Sequence, residues 1–146
     1  MKFLIINGPN LNTLGIREPD VYGKKTYESL CEFIKDEARN LDVEVVIFQS
    51  NSEGAIIDEI QKTFSKFDGI IINPGAYTHY SYAIHDALKA IGVDSVEVHL
   101  SNIHRREEFR QKSVTAPACI GQISGMGFYG YKLSMEYLKY GRPLKG

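Results

Sequence analysis

Several things are scarce in this chain. Cysteine occurs only at Cys31 and Cys119, far apart and with no CxxC pair. That leaves no disulfide framework and no thiolate zinc site. Neither sign of charge dominates: 17 Lys and Arg face 18 Asp and Glu, for a net charge of −1. Without a basic field, neither nucleic acid nor an anionic membrane is expected as a partner. No apolar run approaches the ~20 residues needed to cross a bilayer. Met1-Lys2 leads into a short apolar stretch with no cleavage pattern behind it, so a cytoplasmic location is expected. Linkers, internal repeats and low-complexity segments are also missing. What remains is 146 residues, 43% hydrophobic and 24% charged. That is the profile of one ordinary domain spanning 1–146, with a core that buries roughly 70% of the unfolded surface.

Short apolar runs alternate with helical patterns along the whole chain. Phe3–Ile6, Val43–Phe48, Ile70–Ile72, Val96–Leu100 and Cys119–Ile123 are each bounded by Gly, Pro, Asn or Ser and predict buried parallel strands. Between them the period becomes 3.6. Tyr27, Leu30, Cys31, Ile34, Ala38 and Leu41 form one stripe, with Thr26 placed as its N-cap. Ile56, Ile57, Ile60, Phe64 and Phe67 form a second, and Ile84, Ala87, Leu88 and Ile91 a third. A charged turn over Arg105–Gln111 precedes the fifth strand, and Tyr129, Leu133, Tyr137 and Tyr140 make the last stripe. Five βα units predict an α/β fold: a doubly wound, five-stranded parallel sheet with flavodoxin-like strand order. The connection from Asn7 to Lys25 exceeds the usual ~2–6 residues of a βα turn and reads as a lid or binding loop.

In open α/β sheets, ligands bind beyond the carboxyl ends of the strands. Those ends read Asn7-Gly8-Pro9-Asn10, Gln49-Ser50-Asn51, Asn73-Pro74-Gly75, His99-Leu100-Ser101-Asn102 and Ser124-Gly125. Each alone is ordinary turn chemistry. A histidine at one of them, beside a loop bearing Arg17 and Tyr22, points to a polar small-molecule site.

Glu97 and His99 share one face of the fourth strand, about 7 Å apart along it. A carboxylate in a buried strand needs a partner, and the imidazole of His99 is the economical one. Two readings stand: a general acid oriented by its carboxylate, or a satisfied structural pair. For Tyr22 the residues alone favour half-buried packing. A phenol serves as a base near neutral pH only beside fixed positive charge, which Arg17 and Arg106 would supply.

Other motifs fail. Gly125-Met126-Gly127-Phe128-Tyr129-Gly130 is a GxGxxG, but it lies in the last unit without a βαβ continuation, so close strand–helix packing explains it better than a dinucleotide. No histidine pair has metal-ligand spacing with a carboxylate. Strand one ends in Asn7-Gly8, without the clustered aspartates of a receiver domain. No lysine lies in an apolar strand end where its amine would form a Schiff base. A non-catalytic binding module on the same fold remains as the competing class, though it has no use for a lid Arg–Tyr pair and a Glu-supported histidine together.

Ile6-Asn7-Gly8-Pro9-Asn10-Leu11-Asn12, Arg17-Glu18-Pro19, Tyr22-Gly23, Asn73-Pro74-Gly75-Ala76 with His79, Val96 through Asn102, and Arg106-Glu107-Glu108-Phe109-Arg110 together resemble the type II 3-dehydroquinate dehydratase family. The resemblance covers essentially the whole chain, with its motifs in the family's order. It implies anti elimination of water from 3-dehydroquinate to 3-dehydroshikimate through an enolate, in the shikimate pathway, with no metal or cofactor. It also implies that Tyr22 takes the C2 proton, with Arg17 closing over the site and Arg106 holding the phenolate. His99 would protonate the leaving hydroxyl with Glu97 orienting it, and Asn10 would stabilise the enolate. The backbone amides of Leu100 and Ser101, with Asn73, would bind the substrate carboxylate. His79 and Arg110 would hold ring hydroxyls, and Asp86 would reach a neighbouring subunit's site within a homododecamer built from trimers.

Overall fold

All five apolar runs form strands, and the computed structural model describes residues 1–16 and 25–141. The strands β1 (Lys2–Asn7), β2 (Glu44–Gln49), β3 (Gly69–Asn73), β4 (Ser95–His99) and β5 (Gly121–Ser124) make one parallel sheet in the order β2-β1-β3-β4-β5. This is the flavodoxin-like order, with its reversal between β1 and β3. The fifth strand starts two residues later than its apolar pattern, because Ala116–Ala118 turns around Pro117 and leaves Ile120 44% exposed.

Three helices connect the strands, α1 (Tyr27–Asn40), α2 (Glu53–Gln61) and α3 (Tyr82–Ile91), and α4 (Tyr129–Glu136) follows β5. Their starts are written in the sequence. Thr26 caps α1 in a reciprocal box with Ser29, while Ser52 and Ser81 cap α2 and α3. Between β4 and β5 the charged turn expected over Arg105–Gln111 takes the place of a helix. Only short 3-10 turns fill that crossover, because no 3.6-residue apolar stripe exists there to pack a helix.

The alternation of strand side chains splits the core into two layers. Phe3, Ile5, Ile71, Val96 and Val98 pack on α1 and α4, while Leu4, Ile6, Ile70 and Ile72 pack on α2 and α3. Two helical stripes depart from expectation. The chain leaves α2 after Gln61, so Phe64 lies 65% exposed beyond its end. In α4 and the turn that follows it, the buried side is Tyr131, Ser134, Met135 and Leu138, and Tyr129, Tyr137 and Tyr140 face outward. Gly130 makes the close helix–sheet approach expected of the GxGxxG: a Cβ there would stand 3.0 Å from Val98 Cγ2. Gly125 and Gly127 serve instead as positive-φ turn residues.

Candidate active site

A cleft of about 260 Å³ opens at the carboxyl ends of β1, β3 and β4, at the reversal of strand order. Its walls include Asn10, Leu11, Leu14, Asn73, His79, His99, Leu100, Ser101, Ile103, Arg106 and Arg110. Eight residues expected from the sequence therefore meet in one place: Asn10, Asn73, His79, His99, Leu100, Ser101, Arg106 and Arg110. Glu97 lies beneath the wall, fully buried behind His99. Asp86 stands on an exposed face of α3 and does not line this cleft. Arg17 and Tyr22 fall outside the described residues.

The near wall depends on a tight approach of two strand-end loops. Gly8 donates its N–H to the Asn73 carbonyl at 2.8 Å, and a Cβ on Gly8 would stand only 2.5 Å from the Pro74 carbonyl oxygen. Asn10 follows in the left-handed region at φ 68°, with its N–H bonded to Asn51 Oδ1 at 3.1 Å. Asparagine tolerates that conformation better than most residues, and holding it there turns the loop along the cleft edge.

The floor is a buried polar chain across the sheet. Asn7 and Asn73 are register partners on β1 and β3. The Tyr131 hydroxyl, rising from α4, donates to Asn7 Oδ1 at 2.6 Å and accepts from Asn73 Nδ2 at 3.4 Å. Asn73 Oδ1 accepts from Gly75 N at 3.2 Å, which fixes the amide's orientation. Burial keeps the Tyr131 phenol protonated, well above its ordinary range. Beside it, burial raises the Tyr27 phenol to about 12.

The back wall carries the charge. His99 Nε2 donates to Glu97 Oε2 at 3.1 Å. Ser113 donates to the same carboxylate at 2.9 Å, Gln122 Nε2 at 2.6 Å, and Thr115 bonds Oε1. Burial alone would raise the Glu97 pKa, but the bonds from His99, Thr115 and Gln122, with the charge of His99, outweigh it and hold the carboxyl below its ordinary value. With Nε2 turned inward, Nδ1 is the ring nitrogen left for the cleft. Nearby Cys119 is no nucleophile, because burial and then the Glu97 charge push its thiol up to about 12.

Two further histidines fasten the segment that supplies those donors. His79 Nδ1 bonds the Lys112 carbonyl at 2.7 Å, and His85 Nδ1 bonds the Val114 carbonyl at 2.8 Å. A carbonyl only accepts, so both nitrogens carry hydrogen, and His79 keeps Nε2 for the cleft.

No acidic side chain is among the described residues lining the cleft, while Arg106 and Arg110 do line it. The site therefore favours an anionic ligand around a potential proton donor. Among the described residues, no three His, Cys, Asp or Glu side chains gather where a metal ion could be held. Sequence reasoning missed Ser113, Thr115, Gln122 and Tyr131. The one available signal was Gln122, a polar residue in an otherwise apolar run.

The family model described as dehydroquinase class II matches residues 1–139. A 3-dehydroquinate dehydratase from Clostridium acetobutylicum is 63% identical over 95% of this chain and 96% of its own. One from Clostridium perfringens is 64% identical over 95% and 97%. The crystal structure of a type II dehydroquinase from Butyrivibrio crossotus superposes with a TM-score of 0.92 at 54% identity, covering 95% of this chain and 97% of that one.

Proposed function

The chain belongs to the class II dehydroquinase family and is an enzyme that dehydrates 3-dehydroquinate, and on that premise we propose how its residues divide the work. Tyr22 removes the C2 proton, with Arg17 and Arg106 favouring the phenolate. Charge moves onto the C3 carbonyl as an enolate, which Asn10 stabilises. His99 gives a proton to the C1 hydroxyl, which departs as water while the enolate collapses to the conjugated enone of 3-dehydroshikimate. One proton leaves carbon and one reaches oxygen, so water is the only group lost.

The observation that carries this reading is the 3.1 Å contact between His99 and a fully buried Glu97 at the back of a cleft with arginines on its wall. The buried carboxylate orients the imidazole by its bond to Nε2, which leaves Nδ1 to serve the leaving hydroxyl as a general acid. The substrate carboxylate lies against Asn73 and the backbone amides of Leu100 and Ser101, and His79 and Arg110 hold ring hydroxyls. Asp86 serves a neighbouring subunit's site within a homododecamer, which light scattering would read as a particle of twelve chains. We place this enzyme in the cytoplasm; among the described residues no helix is long and apolar enough to cross a membrane.

The test is enone absorbance with 3-dehydroquinate as substrate. Wild-type protein should generate the chromophore, and folded His99→Ala should lose at least about a hundredfold in kcat. An unchanged rate in His99→Ala would remove His99 as the proton donor.

A further inference from the structure

Glu97 has a flexible side chain, yet it must place one oxygen against Nε2 of a histidine two residues along the same strand. His99 alone does not specify that geometry. The other constraints come from outside β4. Thr115 bonds Oε1, and Gln122 donates to Oε2 at 2.6 Å from the register position beside Glu97 on β5. Oε2 thus receives His99 and Gln122 together, while Oε1 is held from the opposite side by a fully buried threonine. Ser113 also donates, but its oxygen accepts Ala116 N at 2.9 Å, so removing it would disturb the turn as well.

We infer that Thr115 and Gln122 are positioning residues for the elimination step: they fix the Glu97 carboxylate so that His99 keeps Nε2–H on Glu97 and turns Nδ1 to the leaving hydroxyl. This rests on the reading of His99 as proton donor. Neither residue lines the cleft, and neither acts on the C2 proton. Their loss therefore slows departure of the hydroxyl and leaves enolate formation intact. A purely structural role in satisfying a buried carboxylate would not separate those two steps.

The experiment compares Thr115→Val, Gln122→Met, Thr115→Ser and His99→Ala, each confirmed folded by circular dichroism. Enone formation is measured alongside exchange of the substrate's C2 proton with deuterated solvent. Thr115→Val and Gln122→Met should each lower kcat about tenfold, the worth of one hydrogen bond to a charged group. KM should stay unchanged and C2 exchange should persist. Thr115→Ser, which restores the hydroxyl, should recover the rate. Thr115 is buried, so Gln122→Met at its more exposed position keeps the test decisive if the valine variant fails to fold. Wild-type kcat in either folded variant, parallel loss of exchange and elimination, or no recovery in Thr115→Ser overturns the inference. If His99→Ala separates exchange from elimination and the two positioning variants do not, the inference alone fails. If His99→Ala eliminates at the wild-type rate, the proton-donor reading fails and takes the inference with it.

Discussion

The Tyr131 hydroxyl lies 2.6 Å from Asn7 Oδ1, joining the last helix to the first strand across 124 positions of sequence. The same oxygen accepts from Asn73 Nδ2, so one phenol ties together two strand ends under the cleft. Tyr131→Phe keeps the ring and leaves both amides short of a buried partner. Stability should fall by about 1–3 kcal/mol in urea unfolding. Because Asn73 then keeps only its Gly75 bond and loses the partner of its Nδ2, KM should rise more than kcat falls; an unchanged KM would exclude Tyr131 from holding the binding floor.

Tyr22→Phe removes a single oxygen. If that oxygen takes the C2 proton, kcat should drop by at least ~10²-fold with KM nearly preserved. Solvent exchange at C2 should vanish together with elimination. Exchange at the wild-type rate in the folded variant would show that Tyr22 is not the base.

Acid should weaken the fold through Glu97. Its folded pKa lies below the ordinary 4.5, so between the two values the unfolded chain binds more protons and stability rises with pH. The contribution is fully present above about pH 4.5 and is lost as pH falls through the folded value. Urea midpoints measured from pH 7 to pH 3 should decline across that window in the wild type. In Glu97→Gln that part of the slope should disappear, whatever its stability at neutral pH.

Gly8→Ala tests the contact between strand-end loops. The new methyl would meet the Pro74 carbonyl oxygen at 2.5 Å and force β1 and β3 apart at the cleft edge. A loss of about 1–3 kcal/mol is expected in chemical unfolding, with reduced turnover in whatever remains folded. Wild-type stability would mean that the loops separate without resistance.

The strands are legible because buried parallel strands need continuous apolar runs, and their carboxyl ends mark where the cleft lies. Alternation along β4 likewise put Glu97 and His99 on one face. The tyrosines misled. Tyr129, Tyr137 and Tyr140 look apolar at helical spacing but face outward, while the buried face of α4 includes Ser134, whose hydroxyl is satisfied by the Gly130 carbonyl at 2.7 Å. Thr115 and Ser113 gave no signal, because hydroxyl residues in an irregular crossover look the same whether they face water or a buried carboxylate. Their role follows from the fold of that crossover, which carries no periodic pattern to read.

The crossover that supplies Ser113 and Thr115 is fastened by bonds indifferent to the state of the rings that make them. His79 and His85 each donate from Nδ1 to a backbone carbonyl, and Nδ1 carries hydrogen in both the neutral and the charged imidazole. Gaining a proton changes the charge of these anchors without releasing them. His79 therefore keeps Nε2 for a bound ligand while its Nδ1 holds the support beneath Glu97 in place. The protein thus separates the scaffolding duty of a histidine from its chemical duty by assigning each to a different nitrogen of the same ring.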